Sequence, residues 1–230
     1  MIWALGQIVV LLLLILIDII LLNLARKSDF ESQKAMFKGF GLFVVACSII
    51  QALYVMQIFY SRAFEGRDLI PRFISIGGTG YEYVMFMGIL LGFSFLMKPI
   101  ENYLMQRPKA PITKLDIIGL VLLLIPYLGA IIYSVSPWDE YWTWAAYPGV
   151  GIGGLGVVIS IIGSFWFYIR LGLKSTGMIR TKGYLIGFGI FLMYIGILVG
   201  QFMEGWLVVL NPLTIVIGAW MVIRGQKIQI

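Results

Sequence analysis

The chain has 230 residues, 60% of them hydrophobic and 12% charged, against roughly 25% charged in an average soluble domain. With no histidine and one cysteine, Cys47, it cannot build the ligand sets of haem, copper or a zinc hydrolase centre, nor a Ser-His-Asp triad or an internal disulfide. The formal net charge is +6, and where those charges fall says more than their sum.

Apolar runs of spanning length predict an all-α integral membrane protein, a seven-transmembrane-helix bundle forming a single membrane domain over 1–230. The helices are expected near 3–25, 37–60, 79–97, 115–135, 147–169, 184–201 and 206–223, because about 20 apolar residues in a helix cross roughly 30 Å of hydrocarbon. The first helix has no basic leading region and no small-residue cleavage site, so it is expected to be retained rather than removed as a signal peptide. A carboxylate within it, Asp18, is costly unless neutral, paired or wetted, and should face the bundle. Gln7 lies eleven residues earlier, about three turns, and shares that side. The pair reads either as a proton- or cation-handling stripe or as a helix-packing hydrogen bond.

On the second helix Cys47, Gln51 and Tyr54 share a face by their spacing of four and three. A buried Gln bridges membrane helices at around 1 kcal/mol or less per bond, and the alternative is a ligand contact. Glu82 sits just inside the third helix, with Arg72 or Arg67 of the preceding loop as its expected partner. That pair is either structural or part of an outward-facing vestibule. Before the fifth helix, Pro137 to Thr143 and Trp144 carry four aromatics, Trp138, Tyr141, Trp142 and Trp144. Such a cluster marks an interfacial belt, or an aromatic-walled pocket in which Asp139 and Glu140 attract a cation.

Gly151 to Gly156 fits G-x-G-x-x-G, but the dinucleotide fingerprint needs a preceding strand and a βαβ unit, which this chain does not offer. Gly153 and Gly156 are instead expected to permit close helix contact, as are Gly88 with Gly92, Gly183 with Gly187 and Gly196 with Gly200. The sixth and seventh helices are separated by Phe202 to Gly205, where Glu204 predicts a tight turn at a membrane face. Asn211-Pro212 follows as a kink or hinge. No lysine lies near the middle of a span, which removes an internal Schiff-base chromophore. An echo at an offset of 144 maps Arg26 onto Arg170 and Lys38-Gly39-Phe40 onto Lys182-Gly183-Tyr184, as in a three-plus-one-plus-three transporter layout.

Threading the helices back and forth puts Arg26, Lys27, Lys34, Lys38, Lys98, Arg107, Lys109, Lys114, Arg170, Lys174, Arg180, Lys182, Arg224 and Lys227 on one side. Arg62, Arg67 and Arg72 remain on the other, all in one loop. The positive-inside bias then sets the N-terminus outside and the C-terminus in the cytoplasm of a multi-pass cell-membrane protein. The basic side is expected to meet the lipid bilayer's inner leaflet rather than nucleic acid.

The expected interior is sparse: Gln7, Asp18, Gln51, Tyr54, Glu82 and Asn211. Arg72, Trp138, Asp139, Glu140 and Glu204 mark an outer vestibule. No cofactor, metal or catalytic residue is expected. A sparse interior and short loops favour a non-enzymatic sensor or receptor-like module, or a membrane subunit, acting through a membrane or cytoplasmic protein partner or as a homo-oligomer. The alternative is a small, proton-coupled transporter using Asp18, and a third is a membrane-embedded lipid enzyme with Asp and Glu as acid and base.

Overall fold

A computed structural model describes residues 2–63, 80–107, 109–132, 140–199 and 210–228. They form seven α-helices and one π-helical turn, with no strand among them. The helices are α1 (Ile2–Lys27), α2 (Glu31–Ala63), α3 (Gly80–Pro99), α4 (Pro111–Ile132), α5 (Glu140–Lys174), α6 (Gly177–Val199) and α7 (Leu210–Lys227). The π-helical turn, Ile100–Leu104, follows α3.

Each helix runs antiparallel to its sequence neighbour, and glycine sets several of the close approaches. A Cβ on Gly92 would meet Ala46, and one on Gly88 would meet Ile50, so α2 and α3 run in opposite directions. Gly119 lies against Gly153 while Gly149 lies against Leu123 on α4 and α5. Gly183 lies against Gly172 on α5 and α6, and Gly189 against Gly218 on α6 and α7. Small residues let helix backbones approach closely where lipid supplies no hydrophobic drive for association. The bundle returns to its start where α7 packs on α1. At that end Gln33 Nε2 donates to the Gln226 carbonyl at 3.1 Å, and Lys182 Nζ donates to the Ile228 carbonyl at 3.3 Å.

Among the described residues five helices are long and apolar enough to cross a membrane: Leu5–Lys27, Glu31–Ala52, Pro111–Gly129, Ala146–Lys174 and Gly177–Gly196. The first is apolar on both faces. Val10, Leu14, Ile17 and Leu21 enter the core, while Leu5, Val9, Leu12, Leu16 and Ile19 stay exposed. On α5 Leu155, Val158, Ile162 and Trp166 make a similar outer stripe. A helix hydrophobic all round belongs in a large core or in lipid, and here the outer stripe has no protein against it among the described residues.

The helices outrun the predicted spans. α2 begins at Glu31 rather than 37, and α5 extends over 35 residues, Glu140–Lys174, rather than 147–169. Hydropathy marks where a chain leaves hydrocarbon, whereas a helix continues as long as its own hydrogen bonds and side chains allow, and 35 residues reach about 50 Å. α4 starts at Pro111, not 115. Proline suits a first helical turn, where no N–H is needed. The break at Phe202 to Gly205 lies outside the described residues, but the antiparallel packing of Gly189 on Gly218 and Ile186 on Gly225 makes α6 and α7 separate helices. Gly39 approaches Pro99 and Phe95 of the following helix, while Gly183 approaches Gly172 and Tyr168 of the preceding one. The two ends of the 144-residue echo therefore sit in non-equivalent contacts.

The α3–α4 connection is locally strained. Pro99 lacks the N–H that Phe95 would accept, and the chain widens into the π turn, closed by Met105 N–H to the Ile100 carbonyl at 2.9 Å. Gln106 and Ala110 then take left-handed φ values of 53° and 40°, at roughly 1–2 kcal/mol each.

Candidate functional site

The interior is richer in polar groups than the sequence suggests. Buried among the helices are Gln7, Asp18, Ser48, Ser94, Glu101, Thr113, Asp116, Ser160 and Ser164. All but Ser94, whose hydroxyl donates to the Leu91 carbonyl of its own helix at 2.8 Å, group into three hydrogen-bonded sets.

The first set joins α1 and α2. Asp18, 7% exposed, accepts from Ser48 Oγ at Oδ2, 2.9 Å away. The same hydroxyl lies 3.0 Å from the Val44 carbonyl. Three residues after Ser48 on α2, Gln51 Nε2 donates to Gln7 Oε1 at 2.6 Å and to the Gln7 carbonyl at 3.4 Å, eleven residues before Asp18 on α1. Gln7 and Asp18 thus share a face toward α2, but they bond separate partners. Cys47 is buried beside Ser48 and lies within electrostatic reach of Asp18.

The second set joins α4 and α5. Asp116 is 0% exposed and accepts from Ser160 Oγ at Oδ2, 3.1 Å away. Ser164 Oγ donates one turn on to the Ser160 carbonyl at 2.6 Å. Gly156 makes the space for this carboxylate, since a Cβ there would strike Asp116 Oδ1. Asp18 and Asp116 occupy the same half of the bundle. Asp18 is about 13 Å from the Lys27 end of α1, and Asp116 about 8 Å from the Pro111 start of α4, at 1.5 Å per residue.

Glu101, on the π turn, forms the third set. Its Oε1 accepts the Ile112 N–H at 2.8 Å, and its Oε2 accepts the Thr113 N–H at 2.8 Å and the Thr113 hydroxyl at 2.6 Å. A carboxylate at a helix start satisfies free N–H donors and complements the helix dipole. It also lies within electrostatic reach of Asp116.

Between α2, α3 and α6 lies a void of about 10 Å³ lined by Phe43, Cys47, Gly88, Gly92, Phe93 and Tyr194, near the least room that holds one water, roughly 10–15 Å³. Tyr194 stacks on Phe93, with ring centroids 4.6 Å apart and planes 5° from parallel. Asp18 Oδ1, Asp116 Oδ1 and the hydroxyls of Tyr168 and Tyr194 are buried without a hydrogen-bond partner. Each such group costs about 1–3 kcal/mol, so the interior holds unused bonding capacity.

Of the residues expected to matter, Gln7, Asp18 and Gln51 converge on one helix pair. Gly88, Gly92, Gly153 and Gly156 each approach a neighbouring helix, and Gly196 is buried on α6. Tyr54, Glu82, Glu140 and Asn211 lie on described helix backbone, but their side chains are outside the described residues. Arg72, Trp138, Asp139, Glu204 and Gly200 lie outside them altogether. Asp116 and Glu101 were not anticipated. Ending the loop at Lys114 put Asp116 at a helix edge and Glu101 in a connection. The signal for an earlier start was Pro111, a first-turn residue, followed by Thr113 and Asp116 at a spacing of three. The chain matches no known family, no curated protein and no solved structure.

Proposed function

We propose that the protein is a proton-coupled membrane transporter in which Asp18 takes up and releases the proton, with Asp116 as a second proton-handling carboxylate. One observation carries this: the Ser48 hydroxyl has two acceptors, Asp18 Oδ2 at 2.9 Å and the Val44 carbonyl at 3.0 Å. An ionised Asp18 accepts the Ser48 proton. A protonated Asp18 donates to Ser48 Oγ, whose own proton turns to Val44. A hydroxyl rotation thus gives Asp18 Oδ2 a partner in both states without moving a helix. Ionisable residues inside a membrane bundle belong by default to ion or proton paths.

A sensor or receptor-like module acting through a partner drew its support from a sparse interior. The two Asp–Ser pairs, on opposite helix pairs, weaken that premise and favour transport. The cell membrane is the proposed location, with the N-terminus outside. The Gln33–Gln226 and Lys182–Ile228 bonds gather Lys34, Lys182 and Lys227 at one end of the bundle, and that end is proposed to face the cytoplasm. A reporter fused after Ile230 is expected to be active only in the cytoplasm; activity on the outer side would reverse the orientation.

Purified protein in liposomes loaded with a pH-sensitive dye tests the function. A pH gradient, with or without added ions, sugars or amino acids, should drive proton flux above that of protein-free liposomes, and Asp18→Asn should abolish it. Absence of flux under all these conditions, or flux unaffected by Asp18→Asn, would overturn the reading.

A further inference from the structure

Two unbonded polar atoms in the interior are complementary. The Tyr194 hydroxyl on α6 can donate, Asp116 Oδ1 on α4 can accept, and both are buried without a partner. Tyr194 is 3% exposed and Asp116 is 0% exposed. The helix between them sets both near Ser160: Asp116 lies opposite Gly156 of α5 and reaches Ser160 one turn on, about 8 Å along α5 from the level of Tyr194 at 1.5 Å per residue. The register that sets Gly172 on Gly183 and Tyr168 on Gly187 places Tyr194 opposite Ile161 of α5, next to Ser160, which already bonds Asp116. The two side chains are within electrostatic reach of each other.

Other groups near the pair are committed. Ser160 serves Asp116 Oδ2, and Ser164 serves the Ser160 carbonyl. Glu101, the titratable group on the α3 side of Asp116, is an acceptor held by Ile112 and Thr113. Cys47, the titratable group on the α2 side of Tyr194, lies across the small void. Of the two buried tyrosine hydroxyls without a partner, Tyr168 and Tyr194, Tyr194 is the one that interacts electrostatically with Asp116. Its ring stacks flat on Phe93 beside that void.

We infer that Tyr194 is the positioning residue for Asp116: in a second arrangement of the bundle its hydroxyl donates to Asp116 Oδ1 and draws α6 toward α4. Ionised Asp116 favours that arrangement, because a hydrogen bond to a charged acceptor is roughly twice as strong as a neutral one. Protonation of Asp116 weakens the bond and returns α6 to the arrangement described above. The one covalent bond that changes is the Asp116 carboxyl O–H, whose proton is exchanged with water; Tyr194 keeps its own. The inference rests on the proton-handling reading and adds to it a way for charge on α4 to move α6.

Infrared difference spectra of the whole protein in lipid nanodiscs, taken between acidic and alkaline pH, test this. The carboxylic C=O band missing in Asp116→Asn reports Asp116, and the phenol C–O band missing in Tyr194→Phe reports Tyr194. The expected result is a Tyr194 band that shifts as the Asp116 band disappears, in the native chain and in Asp18→Asn, and does not shift in Asp116→Asn. A Tyr194 band that stays fixed across pH, or that still shifts in Asp116→Asn, would overturn the inference. Should Tyr194→Phe not fold, ring-labelled tyrosine in the native chain and in Asp116→Asn decides by the same comparison. Proton flux in the same preparations separates the two readings. Coupled bands without flux remove transport and keep the Tyr194–Asp116 pairing. Where flux is present, Tyr194→Phe is expected to lower it about tenfold, the effect of losing one charge-assisted bond.

Discussion

Glu101 and Thr113 are bonded twice: the Thr113 N–H and its hydroxyl both donate to Glu101 Oε2, at 2.8 and 2.6 Å. With the Ile112 N–H on the other oxygen, one carboxylate ties the π turn after α3 to the first turn of α4. The two left-handed residues of that connection, Gln106 and Ala110, make it dependent on this tie. Glu101→Ala strips three bonds from a site that is 0% exposed and is expected to cost about 2–4 kcal/mol. Glu101→Gln, which can still accept at one oxygen, should cost less. Thermal unfolding in detergent followed by size exclusion checks this, and equal melting of Glu101→Ala and the native chain would refute the cap.

The Asp18–Ser48 bond should appear in a double-mutant cycle. Ser48→Ala leaves both Asp18 oxygens without a partner and is expected to destabilise by about 1–3 kcal/mol. Asp18→Asn combined with Ser48→Ala should then cost less than the sum of the two, with a coupling of about 0.5–3 kcal/mol. Additive effects on unfolding free energy would mean that the bond contributes nothing.

Glycines with the same letter in the same motif should behave differently. A Cβ on Gly151 meets open space, whereas one on Gly153 meets Leu90 and Phe86, and one on Gly119 meets the backbone of Gly153. Gly151→Ala should therefore leave melting unchanged. Gly119→Ala should lose about 1–3 kcal/mol, since overpacking against backbone cannot be relieved by a rotamer change. Gly218→Ala, whose Cβ would lie 2.5 Å from the Gly189 carbonyl, should behave like Gly119→Ala. Uniform tolerance across these three positions in a melting assay would contradict the α4–α5 and α6–α7 seams.

The chain's apolar runs were sufficient to call for a multi-helix bundle, because spanning length and hydropathy are local properties. They also brought out Asp18 and Gln7, since a carboxylate or amide amid Leu and Ile is conspicuous on any single helix. Asp116 escaped for the opposite reason. It sits beside Lys114 and one turn after Thr113, a polar setting in the linear chain, and its burial comes from α5 closing over it where Gly156 has no side chain.

Composition and periodicity by themselves determined the class of molecule, the approximate helices, the absence of imidazole chemistry and the unequal distribution of basic residues. Those features depend on each residue and its near neighbours. Tertiary structure alone decided which serine serves which aspartate, that Glu101 caps a helix, and that Tyr194 and Asp116 are both buried with unused bonding capacity. Each of those relations joins residues on different helices. It is set by interhelical register, which glycine contacts such as Gly119 on Gly153 and Gly172 on Gly183 impose, and no linear spacing encodes that register.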